Sequence, residues 1–90
     1  MTYRLTFSDR ARRQWNKLDS TVRTQFQAVL KRRIEEPHVP SARLRGRWPG
    51  PRYKIKLKSP GFRLVYEVHD DQVLVIVIAV GWRDSVYDEI

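Results

Sequence analysis

Tyr53-Lys-Ile-Lys-Leu-Lys-Ser-Pro-Gly-Phe-Arg-Leu-Val-Tyr-Glu-Val68 reads as two strands joined by a turn. Tyr53, Ile55 and Leu57 alternate with Lys54, Lys56 and Lys58, so one face is apolar and the other carries ammonium groups. Ser59-Pro60-Gly61 suits a type II turn, with Pro first and Gly at the positive-φ position. Phe62, Leu64, Tyr66 and Val68 form the apolar face of the return strand; Arg63, Val65 and Glu67 form the other.

Toward the C-terminus, His69-Asp70-Asp71-Gln72 turns the chain. Val73 to Val80 is an apolar run rich in β-branched residues, as expected for a central strand covered on both faces, and Gly81 is expected to end it. Trp82 to Ile90 is a short tail with little helix-forming length of its own. Toward the N-terminus, the prolines and glycines of His38 to Pro51 mark a loop. Asp19-Ser20 opens a helix whose apolar stripe is Val22, Phe26, Val29, Leu30 and Ile34. Lys31, Arg32 and Arg33 suit its C-terminal dipole, and Pro37 ends it. An earlier helix starts at Ser8 as N-cap with Asp9 in its first turn, and shows one face of Ala11, Trp15 and Leu18. Before it, Tyr3, Leu5 and Phe7 alternate with Arg4 and Thr6 as a half-buried strand. The order predicts a single α+β domain over 1–90, β-α-α-β-β-β. A two-helix hairpin packs on a mostly antiparallel four-stranded sheet, with a short C-terminal helical tail. The other sheet face is expected to stay open, with Lys54, Lys56, Lys58 and Arg63 looking out of it.

The charge is concentrated in the same region. The chain has 18 Lys+Arg against 10 Asp+Glu, a net +8. Arg43, Arg45, Arg47, Arg52, Lys54, Lys56, Lys58 and Arg63 hold that whole excess, and no acid lies between 43 and 63. A polyanion is the expected partner, and a phosphate backbone is the commonest. The plain alternative is a solvated basic strand that only aids solubility. With no cysteine the chain has no disulfide framework and no thiolate chemistry, which fits a reducing cytoplasm. No apolar run approaches the roughly 20 residues that span a bilayer, and the N-terminus lacks a signal-peptide core.

Several chemistries lack their residues. There is no Gly-rich phosphate loop and no Cys/His metal spacing, so neither metal nor cofactor is expected. His38 and His69 lie in turns and read as solvated loop histidines; Asp70-Asp71 reads as turn chemistry. The stronger constellation is Lys54, Lys56 and Arg63 on adjacent strands, with Arg83 and Tyr87 spaced to share a face of a helical turn. Guanidinium binds phosphate bidentately. Cations crowded around a lysine or tyrosine favour its deprotonated form, which suits a general base. Such a set can cleave RNA: a base takes the 2′-OH proton, cations hold the phosphorane, and an acid protonates the leaving 5′-oxygen. In the plainer alternative Tyr87 packs on the sheet and Arg83 pairs with Asp84 or Asp88. Trp48 either caps the core, the reading favoured here, or stacks on RNA.

Leu44-Arg45-Gly46, Tyr53-Lys-Ile-Lys-Leu57, Gly61-Phe-Arg-Leu-Val-Tyr66 and Val80-Gly-Trp-Arg83…Val86-Tyr87 together resemble RelE toxins, of the RelE/ParE superfamily of type II toxin–antitoxin modules. The N-terminal Phe7-Ser-Asp-Arg-Ala11 and Trp15-Asn-Lys-Leu-Asp-Ser-Thr-Val-Arg23 fit as well. The resemblance implies a ribosome-dependent, metal-independent endoribonuclease. It would cut mRNA in the A site of the small subunit and be neutralised by a cognate antitoxin through an acidic or amphipathic segment. It implies Tyr87 as general base, Arg83 as general acid, and Lys56 with Arg63 on the phosphate. Lys54 would assist, electrostatically or as an alternative base. Arg43, Arg45, Arg47, Arg52 and Lys58 are expected to bind RNA or ribosomal RNA. The Arg83–Tyr87 spacing is two residues shorter than in the family, and the loop Arg47 to Arg52 is longer and adds Trp48. The alternative is a ParE-like toxin that inhibits DNA gyrase without catalysis; such chains generally lack the full Lys/Arg/Tyr set.

Overall fold

A computed structural model describes residues 2–57 and 61–87. Strand β1 (Arg4–Phe7) is followed by helices α1 (Asp9–Asn16) and α2 (Ser20–Arg33), then β2 (Arg52–Lys56), β3 (Phe62–His69), β4 (Leu74–Trp82) and the single turn α3 (Arg83–Val86). The sheet order is β1-β4-β3-β2. β2–β3 and β3–β4 are antiparallel, while β1 runs parallel to β4. This is the predicted β-α-α-β-β-β arrangement, with its helical hairpin on one face. Among the described residues no helix is long and apolar enough to cross a membrane.

Helices α1 and α2 start where their caps stand. Ser8 accepts from the Ala11 N–H and Asp19 from the Thr21 N–H, each satisfying a donor the helix cannot. Ala11 and Trp15 from α1, and Val22, Phe26 and Leu30 from α2, are buried against Tyr53, Ile55, Leu64, Tyr66, Val68, Val75, Val77 and Val80. Burying a side chain such as Phe26 or Leu30 stabilises by about 1.5–3 kcal/mol. β1 is an edge strand and less covered than its alternation suggests: Leu5 stays 38% exposed.

The C-terminal half departs from expectation in three ways. Gly81 does not end β4; the strand runs through Trp82, whose ring stacks on Phe62 at 4.4 Å. Val73 is not in the strand but caps the preceding turn at φ 50. The outer face is not wholly open, because α3 packs on β3 and β4, and Val65, Ala79 and Val86 are all buried. The Ser59–Pro60 part of the expected turn lies outside the described residues; Gly61 has φ +101, the conformation a type II turn asks of glycine.

His38 and Asp70 are not idle turn residues. His38 Nε2 donates to Asp70 (2.7 Å), its Nδ1 faces the Tyr53 hydroxyl (2.8 Å), and the Tyr3 hydroxyl donates to Asp70 (2.6 Å). The bonds from Tyr3 and then His38 hold the Asp70 carboxyl below its usual range. The bond to Asp70 in turn pushes the Tyr3 phenol up. A lowered carboxyl stabilises the fold above its ordinary value and loses that contribution as pH falls through its folded value. A raised phenol stabilises the fold below its ordinary value and loses that contribution as pH rises through its folded value. Asp70→Asn should therefore flatten the fall in the urea midpoint on acidification below 3.8, the ordinary value for Asp70. Parallel pH profiles for the two proteins would show that this tie adds no stability.

Candidate active site

On the sheet face that Tyr53, Ile55 and Leu64 do not use, a cleft of 470 Å³ is lined by Leu44, Lys54, Lys56, Arg63, Arg83, Asp84 and Tyr87. Strand register builds it. Lys56 pairs with Arg63, and Arg63 with Gly81, so two cations lie beside a residue with no side chain. Lys54 faces the same way two pairs further along, opposite the buried Val65. The Arg63 guanidinium donates to the carbonyls of Phe62 (3.2 Å) and Leu57 (3.4 Å). The Arg83 N–H donates to the Gly61 carbonyl (3.2 Å), which hooks α3 onto the β2–β3 hairpin. Buried Val86 pins that turn, and Tyr87 follows it at 37% exposure. The Arg83–Asp84 ion pair is loose, 3.8 Å between groups 67% and 93% exposed, and neutralises little.

All five residues named for catalysis therefore line one cleft. The second group is scattered. Arg45 lines a neighbouring pocket of 230 Å³ with Leu44, Trp48 and Tyr87. Arg43 and Arg47 are exposed, Arg43 on a residue that bridges Tyr53 in antiparallel fashion. Lys58 lies outside the described residues. Arg52 departs from its expected role as a free RNA-binding cation. Its Nε donates to Glu67 at 2.8 Å, with only 13% and 6% of the two side chains exposed. His69 Nε2 donates to the other Glu67 oxygen at 2.5 Å, so His69 is not a free loop histidine either. The signal for this cluster was in the sequence: extending the hairpin register from Lys56–Arg63 puts Arg52 opposite Glu67. Trp48 is a further correction. It is not a core residue but half-buried at the surface, with the Arg52 guanidinium 4.7 Å from its ring centre. Leu44 and Asp84 complete the cleft, a place that neither the Leu44-Arg45-Gly46 motif nor the expected Arg83–Asp84 pairing assigned to them.

The arrangement can hold a phosphodiester and stabilise further negative charge on it, with one phenol at hand. It suits the toxins the sequence resembles. The family model described as ParE toxin of type II toxin-antitoxin system, parDE, matches residues 5–87, which puts the chain in the RelE/ParE class. The mRNA interferase toxin RelE of Escherichia coli (strain K12) is 48% identical over 91 residues, covering 99% of this chain and 94% of that protein. A mutant E. coli RelE in the free state superposes with a TM-score of 0.88 at 48% identity, covering 99% of this chain and 94% of that one. RelE in the intact E. coli RelBE toxin–antitoxin complex gives 0.83 at 49% identity, covering 89% and 95%. The chain belongs to the RelE toxin family.

The buried pair gives a sharp contrast between structural and surface cations. Glu67→Ala strands the Arg52 charge and should cost about 3–5 kcal/mol in urea unfolding. Arg45→Ala should stay within about 0.5 kcal/mol of wild type. A mild Glu67→Ala would show that water reaches Arg52.

Proposed function

We propose that this protein is a ribosome-dependent endoribonuclease that cuts mRNA in the A site and so inhibits translation, held in check by a cognate antitoxin. The observation that carries the reading is the meeting of Lys54, Lys56, Arg63, Arg83 and Tyr87 at one cleft. Tyr87, entering the step as the phenolate, takes the proton from a 2′-OH and becomes the phenol. The 2′-oxygen attacks phosphorus, and the bond to the 5′-oxygen breaks, leaving a 2′,3′-cyclic phosphate. Arg83 gives a proton to the departing 5′-oxygen, whose alkoxide is basic enough to take one from a guanidinium. Lys56 and Arg63 hold the non-bridging oxygens as charge builds on them, and Lys54 adds to that field. The cleft is open and its groups are spread over two strands and one helical turn, so it cannot orient a free RNA by itself. The ribosome supplies that orientation, which is worth several kcal/mol of barrier. It also sets the site of action in the cytoplasm.

Gyrase inhibition is the competing reading, since the same fold serves ParE toxins. The full cation set with Tyr87, and relatives named mRNA interferases, favour cleavage. The antitoxin partner follows from the charge: an uncovered basic face would bind RNA at large. Its covering segment is acidic or amphipathic, and the E. coli relative is found in a complex with its antitoxin.

Primer extension on programmed ribosomes tests the reading. Wild type should cut A-site message and leave the same RNA nearly intact off the ribosome; equal rates on both would sink the proposal. Arg63→Ala and Arg83→Ala should each lose about 10²–10³ in rate while remaining folded. Tyr87→Phe should lose rate yet keep ribosome occupancy; full activity would move the base to Lys54 or Lys56.

A further inference from the structure

Trp48 is held in place by Gly46 and Arg52. Gly46 lies beneath it at φ +148, and a Cβ there would sit 2.4 Å from the ring. Arg52 lies against the ring at 4.7 Å, is fixed by Glu67 at 2.8 Å, and Glu67 is fixed in turn by His69. The ring nonetheless lines the 230 Å³ pocket with Leu44, Arg45 and Tyr87. Leu44 and Tyr87 also line the cleft, so a strand whose phosphate sits in the cleft leads directly into this pocket. From this geometry we infer that Trp48 is a stacking platform for a nucleobase beside the cleaved phosphate, a subsite that rests on the endoribonuclease reading above.

The chemistry selects the occupant. Two aromatic rings and one arginine, with no acid in the lining, suit a base with its adjoining phosphate. A ring already braced loses little freedom on stacking, so binding keeps most of the interaction. The base comes either from the message or from ribosomal RNA. An acidic protein segment is the other class of occupant, and the test addresses it.

Ribosomes are programmed with a message whose 2′-deoxy sugar at the scissile nucleotide blocks cleavage, and toxin binding is measured. An abasic site is placed in turn on each side of that nucleotide. Trp48→Ala should weaken binding on the order of tenfold, as should an abasic site at one position in the wild type. The two changes together should cost no more than either alone, which assigns the base to the message. Loss that is equal on every message and on vacant ribosomes assigns it to ribosomal RNA. Trp48→Phe should recover most of the affinity, whereas Trp48→Leu, apolar but without a flat face, should not. Wild-type binding by Trp48→Ala overturns the inference. So does equal rescue by Leu and Phe, or a loss confined to antitoxin binding. Cleavage of an all-ribose message reports separately. A wild type that binds but does not cut overturns the endoribonuclease reading and leaves the stacking result to stand on its own.

Discussion

One unpaired residue in the central strand governs the rest of the structure. β3 and β4 run in register from Val68–Val75 to Tyr66–Val77, but Val65 then meets Ala79, so Ile78 is an extra residue with no partner. This bulge reverses the alternation of β4. Val75 and Val77 point into the core before it and Val80 after it. The disturbance reaches the other edge. β1 stops at Phe7, and α1 takes over the freed groups of β4. The Ser8 N–H donates to Val77 O (2.9 Å), the Ser8 hydroxyl to Ile78 O (3.2 Å), and the Val80 N–H to Gln14 Oε1 (3.0 Å). Helix α1 therefore begins where the ladder fails.

The same bulge makes room for the cleft. Had the register continued unbroken, Val80 would face outward opposite Arg63. The extra residue puts Gly81 there instead and turns Val80 inward. It also leaves small Ala79 opposite Val65, the outward pair of the strands that carry α3. The short turn can then lie close to the sheet and bring Arg83 and Tyr87 over Lys54, Lys56 and Arg63.

Much of this was legible because it depended on local patterns. Alternation at Tyr53–Leu57 and Phe62–Val68 marked both strands, and Ser8 and Asp19 marked both helix starts. The cleft residues were legible because four of them sit on or directly after strands whose inward faces were apolar. The bulge was not, since an apolar run such as Val73 to Val80 has no polar residue to expose a change of face. Gly81 looked like a terminator because glycine weakens strands, but here its missing side chain is what the position uses. Trp48 was misplaced because aromatic rings are usually buried, and its bracing by Arg52 depends on a cross-strand acid 19 positions further along, at Glu67.

Burial and anchoring separate side chains that the sequence presents alike. Tyr53 and Tyr66 stack on each other inside, and burial, above all else, pushes both phenols up, keeping them as neutral hydrogen-bonding groups. Tyr66 donates to Pro37 O and accepts from Arg33, and neither ring reaches the cleft. Tyr87, half out of the surface, keeps its hydroxyl where a substrate can meet it. The arginines divide by the kind of acceptor that orients them. Arg52 is held by a carboxylate, which fixes the guanidinium and cancels its charge. Arg63 is held by two neutral carbonyls, which orient it and leave the whole positive charge facing the cleft. A group that must stabilise charge developing on phosphate needs orientation without neutralisation. Carbonyl anchoring at Arg63 meets that requirement, and a carboxylate there would defeat it.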